Sequence, residues 1–79
     1  MKIPYVTDVV PLANYFIEIL YETGERKKFD VKPYISGDWF GQLKDLSVFN
    51  TVRPSGRTIE WCGGQDIAPH ELWDNSISV

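Results

Sequence analysis

Cysteine and histidine are almost missing from this sequence, with one of each, Cys62 and His70, in 79 residues. A lone cysteine makes neither an internal disulfide nor a zinc site. Small secreted domains usually carry several cysteines to supplement a thin core, so the thiol count points to the cytoplasm. Long apolar runs are missing too. Lys2, Pro4, Asp8 and Pro11 break up the first dozen residues, which excludes a signal peptide and a membrane span there. There are no internal repeats and no low-complexity tract. There is no excess of positive charge either: 8 Lys and Arg stand against 11 Asp and Glu, for a net charge of −3. That balance works against nonspecific binding to nucleic acid or anionic lipid. The glycine pair Gly63-Gly64 lacks the helix and lysine of a phosphate loop. No cofactor and no metal are therefore expected.

Aromatic residues are plentiful: 4 Tyr, 4 Phe and 3 Trp. Each buries on the order of 150–250 Å², which is how a short chain gains a core without disulfides. A chain of this length has room for a single domain, residues 1–79. Tyr15 to Glu22 alternates, with Tyr15, Ile17, Ile19 and Tyr21 on one face, the period of a half-buried strand. Glu22-Thr23-Gly24-Glu25 reads as a turn. Arg26 to Val31 returns as a partner strand with Phe29 and Val31 inward. Ile3 to Val10 alternates only loosely and supplies a third strand, closed by Pro11. In the middle of the chain, Asp38 is placed to cap a short helix over Trp39–Leu43, and Asp45 to cap a turn through Leu46, Val48 and Phe49. Strands are expected again at Asn50–Arg53 and Arg57–Trp61 around a Pro54-Ser55-Gly56 turn. Pro69 then opens a helix through His70–Trp73, and Asn75–Val79 is expected to fray. The fold class is α+β: a small antiparallel sheet built from an N-terminal three-stranded meander and a later hairpin, packed with short helices.

Little chemistry is visible. His70, in what reads as an exposed first helical turn, suits a solvated or capping role. Cys62 lacks the nearby cations that activate a thiol. The basic cluster Arg26, Lys27, Lys28 and Lys32 is a candidate contact for phosphate or for a partner. Its structural reading is a charged strand that discourages edge-to-edge aggregation. Trp39 and Phe40 are adjacent, so one narrow helical stripe cannot bury both. An exposed Trp39 beside an edge strand would serve a partner.

Two runs carry a family resemblance. One is Tyr15-x-Ile17-x-Ile19-x-Tyr21-x-x-Gly24-Glu25 with Lys28-Phe29-Asp30-Val31, followed by Phe40-x-x-Leu43-Lys44-Asp45. The more specific is Thr58-Ile59-Glu60-Trp61-x-x-Gly64-x-Asp66-Ile67-x-Pro69-x-x-Leu72. Together they resemble an uncharacterised bacterial family, domain of unknown function 2442. The resemblance implies a small α+β domain that precedes a DNA-binding helical domain in longer members. This chain is expected to lack that second domain, so DNA binding does not carry over. Neighbouring small genes in the family imply a toxin–antitoxin-like or regulatory pair. No catalytic residues are implied. Cys62-Gly63 departs from the proline and asparagine more usual after the tryptophan. Trp61, Gly64, Asp66 and Pro69 also have a structural reading. Trp61 covers the core, Gly64 permits a turn, Asp66 accepts backbone N–H bonds, and Pro69 starts a helix.

The sequence thus favours a non-enzymatic protein-binding or regulatory module whose partner is another protein or a second copy. A nucleic-acid-associated regulator using Arg26, Lys27, Lys28 and Lys32 is one alternative. An enzyme using Asp66 and His70 is the other.

Overall fold

The computed structural model describes residues 2–79. Three strands, β1 (Val6–Pro11), β2 (Phe16–Tyr21) and β3 (Arg26–Asp30), form the expected antiparallel meander. Alternation along β2 buries Ile17, Ile19 and Tyr21, and β3 adds Phe29 and the following Val31. The loose pattern of β1 has a cause. The register shifts between Val6 and Asp8, and this bulge brings Val6 and Val9 onto the same buried face although they are three apart. Gly24, at φ +88°, supplies the left-handed residue of the β2–β3 turn.

A hairpin, β4 (Arg53–Ser55) with β5 (Thr58–Glu60), forms a second sheet. It abuts β1, where Val6 N–H donates to Gly56 O at 2.9 Å. Between meander and hairpin lie α1 (Gly37–Phe40), a 3-10 turn at Gly41–Lys44 and α2 (Leu46–Phe49); α3 (Pro69–Asn75) follows the hairpin. Leu43, Phe49, Ile59, Trp61, Ile67 and Leu72 close over the inner face of the meander. The architecture is α+β, with small antiparallel sheets and short helices, as expected.

Several boundaries differ from the sequence reading. Tyr15 does not open β2; it sits at φ +61° beside Asn14 at φ +60° in the tight β1–β2 connection. Its hydroxyl donates to Lys44 O at 2.5 Å and its ring stands edge-on to Phe49, contacts that hold it in this uncommon conformation. Asp38 lies in the first turn of α1, and Ser36 takes the cap position. The helix expected over Trp39–Leu43 breaks at Gly41 into a 3-10 turn. Asp45 does cap α2, accepting from Ser47 N–H at 3.0 Å. Asn50 and Thr51 terminate α2 instead of starting a strand: Asn50 N–H bonds Leu46 O, and Thr51 Oγ1 bonds Val48 O. Pro54 stands within β4, a strand with a single partner, where proline is tolerated; Gly56 and Arg57 make the turn. The tail does not fray throughout. Ile77–Ser78 forms β6, antiparallel to β3, which gives the strand order β1-β2-β3-β6.

Candidate functional site

The basic cluster on and after β3 is engaged in folding. Lys27 is buried; its Nζ donates to Trp73 O at 2.9 Å and lies 3.9 Å from the centroid of the Trp73 ring. Arg26 pairs with Glu18 across the strands at 3.1 Å. Lys32 pairs with Asp30 and donates to Asn14 O, both at 3.0 Å. Lys28 and Lys32 both cover the Phe16 ring. Arg53 and Arg57 do not join them, because they belong to the hairpin, which abuts β1 at the other side of the sheet.

The two edges of the four-stranded sheet differ. Along β1, Val6 N–H is taken by Gly56 O, Val9 N–H by the Asp8 carboxylate at 2.9 Å, and Pro11 has no N–H. The other edge is β6, two residues long. Ile77 and Val79 there are 71% and 75% exposed. Val79 N–H donates inward to Arg26 O at 3.1 Å; by strand alternation Ser78 turns its N–H outward.

The segment 61–69 folds around a buried amide that the sequence does not announce. Trp61 is fully buried, with Nε1–H donating to Phe49 O at 3.0 Å. Gly64, at φ +90°, closes a tight loop in which Gly64 N–H bonds Trp61 O and Trp61 N–H bonds Gln65 O. Gln65 is also fully buried. Its Nε2 donates to Trp39 O at 2.8 Å and to Gln42 Oε1 at 3.1 Å. Its Oε1 has no hydrogen-bond partner among the described residues. A β-carbon on Gly63 would lie 2.6 Å from that oxygen, so glycine here leaves room for the amide. Trp39, 50% exposed, donates from Nε1 to Gly63 O at 3.2 Å and packs edge-on against Phe40. Asp66 acts through its backbone, in an isolated bridge to Glu60. Its side chain is in none of the hydrogen bonds found among the described residues, in contrast to the expected capture of backbone N–H groups. Pro69 opens α3 as expected.

His70 lines a surface cleft with Lys2, Ile3, Arg57 and Pro69; Asp66 is not part of it. Among the described residues no three His, Cys, Asp or Glu side chains gather as metal ligands. Cys62 is an exposed free thiol. Two groups titrate away from their ordinary range. Burial, with the Glu25 charge adding, pushes the Tyr21 phenol up to about 12. Hydrogen bonds from Ser47 hold the Asp45 carboxyl below the usual carboxylate range. No described helix is long and apolar enough to cross a membrane.

Comparison with known families identifies this chain's relatives by sequence. Residues 6–78 fit the model described as "Protein of unknown function (DUF2442)". The chain belongs to the DUF2442 family. The match begins at the first residue of β1 and takes in β6, so the strand that closes the sheet lies within this DUF2442 domain. No curated protein and no solved structure matches the chain.

Proposed function

We propose that this DUF2442 domain is a non-enzymatic, cytoplasmic protein-binding module that receives an extended segment of a partner protein along β6. The observation that carries this reading is the asymmetry of the sheet edges. Backbone donors on the β1 edge are taken by Gly56 and Asp8 or removed by Pro11, whereas β6 turns Ser78 outward between two exposed apolar side chains. Added strands gain affinity from main-chain hydrogen bonds and specificity from alternate side chains. Lys28 lies opposite Ile77 at this edge, on the same face of the sheet, so the matching strand places both apolar residues and a carboxylate on that one face. A different protein fits better than a second copy, because each copy carries a net charge of −3 and like charges oppose association. Engagement of Arg26, Lys27 and Lys32 in intramolecular contacts weighs against nucleic acid as the partner. The exposed free thiol suits a reducing compartment.

The test is to isolate the partner from the native cells, reconstitute the purified pair and map amide exchange. Protection should rise at β6 and β3, and Ser78→Pro should weaken binding at least tenfold while Trp39→Ala changes it less than twofold. Protection confined to another surface, or a Ser78→Pro variant that binds normally, would overturn the proposal.

A further inference from the structure

Arg57 differs from the other two arginines. Arg26 and Arg53 each hold a carboxylate, Glu18 at 3.1 Å and Glu60 at 3.2 Å. Among the described residues Arg57 has no acidic partner within salt-bridge distance, yet its guanidinium is fixed from two sides. Nε–H donates to Ile3 O at 2.8 Å, and the guanidinium carbon lies 4.3 Å from the centroid of the Tyr5 ring. Those contacts leave the two terminal nitrogens without an acceptor among the described residues. They belong to a half-buried side chain that lines a cleft of about 350 Å³ with Lys2, Ile3, Pro69 and His70. Among the described residues no carboxylate lines that cleft. An adjoining hollow of about 220 Å³ shares Lys2, Ile3 and Arg57 but includes Glu22, whose Oε2 accepts Tyr5 N–H at 2.8 Å.

We propose that the cleft between Arg57, Lys2 and His70 is a binding site for a small oxyanion, a carboxylate or a phosphate group. A planar guanidinium held in one orientation presents parallel N–H donors to two oxygens and loses little freedom on binding. Lys2 adds a flexible point charge, and the imidazole of His70, which lines the same cleft, adds a further donor. Tyr5 and Ile3 act as positioning residues, since the Tyr5 ring and the Ile3 carbonyl aim the fork. The anion sits on the His70 side, because Glu22 places negative charge in the adjoining hollow. This site is separate from the β6 edge, so either can fail without the other.

The experiment is a titration of the isotopically labelled protein with inorganic phosphate, and separately with acetate, followed by amide and arginine side-chain NMR at constant ionic strength set with chloride. At least one anion should produce saturable shifts centred on Ile3, Tyr5, Arg57 and His70, with a dissociation constant on the order of 1 mM. Saturation by phosphate alone or by acetate alone identifies the group preferred. Arg57→Gln should weaken binding at least tenfold and Arg53→Gln less than twofold. Arg57→Gln also removes the bond to Ile3, so a Lys2→Gln/His70→Gln double variant provides an independent readout. Neither side chain takes part in the hydrogen bonds found among the described residues, and binding should weaken about tenfold in a spectrum otherwise unchanged. Linear shifts with both anions, or saturable shifts that survive Arg57→Gln or the double variant, would overturn the proposal.

Discussion

The meander and the segment from Pro33 to Ile67 each bury a polar atom that has no hydrogen-bond partner among the described residues, and they do so in different ways. In the meander it is the Tyr21 hydroxyl, at the end of a ring already held by apolar packing and by an edge-on contact with Trp73 at 4.8 Å. In the second region it is Oε1 of Gln65, whose amide nitrogen ties α1 to the 3-10 turn through Trp39 O and Gln42. The tyrosine oxygen adds nothing visible to the strands around it. The glutamine amide substitutes for regular structure, because four-residue helices cannot persist alone and must be joined by side chains. A repeating backbone ladder makes individual polar side chains dispensable; irregular chain makes them indispensable.

Four substitutions sharpen or break that contrast. The largest effect is expected for Trp61→Ala, which removes a fully buried indole and its bond to Phe49 O. Loss of such a residue costs about 3–5 kcal/mol, a large share of the roughly 5–15 kcal/mol available to a domain. Urea titration should find the variant largely unfolded or shifted to a much lower midpoint. Next come Gly63→Ala and Gln65→Ala, each expected to cost about 1–3 kcal/mol. The first forces a methyl group against the amide, and the second removes a fully buried side chain together with its bonds to Trp39 O and Gln42 Oε1. The double variant should cost clearly less than the sum, since removing the amide makes room for the methyl. Strict additivity would show that Gly63 is glycine for another reason.

The smallest effect at neutral pH is expected for Tyr21→Phe, which keeps the ring and removes the unpartnered hydroxyl. Stability should hold or rise by about 0–1 kcal/mol. The pH dependence is more telling. The folded phenol titrates near 12 against 10 in its ordinary range, so above pH 10 the unfolded chain loses its proton first. The stability this group contributes is complete below pH 10 and is lost as pH rises through 12, about 2–3 kcal/mol in all. Urea midpoints of wild type and Tyr21→Phe should therefore diverge from pH 10 to 12 in favour of the variant. Parallel midpoints would mean that water reaches the hydroxyl.

Alternation of Ile17, Ile19 and Tyr21, the turn at Gly24 and the return through Phe29 and Val31 by themselves determine the central hairpin, because a period of two has one physical solution when a single face is buried. Asp45 as a cap and Pro69 as a helix start were equally local, as was the motif that identifies the family. Tertiary structure alone decided the rest. Whether Lys27 meets solvent or a tryptophan depends on where α3 lands, and the pairing of Ile77–Ser78 depends on which edge of β3 is left open. Gln65 looks like a loop residue until Trp39 and Gln42 are brought to it from more than twenty residues away. Arg57 becomes distinct only when the N-terminal segment folds across it. Contacts between residues distant in the chain leave no period in the sequence, and those contacts make both the open edge and the cationic cleft.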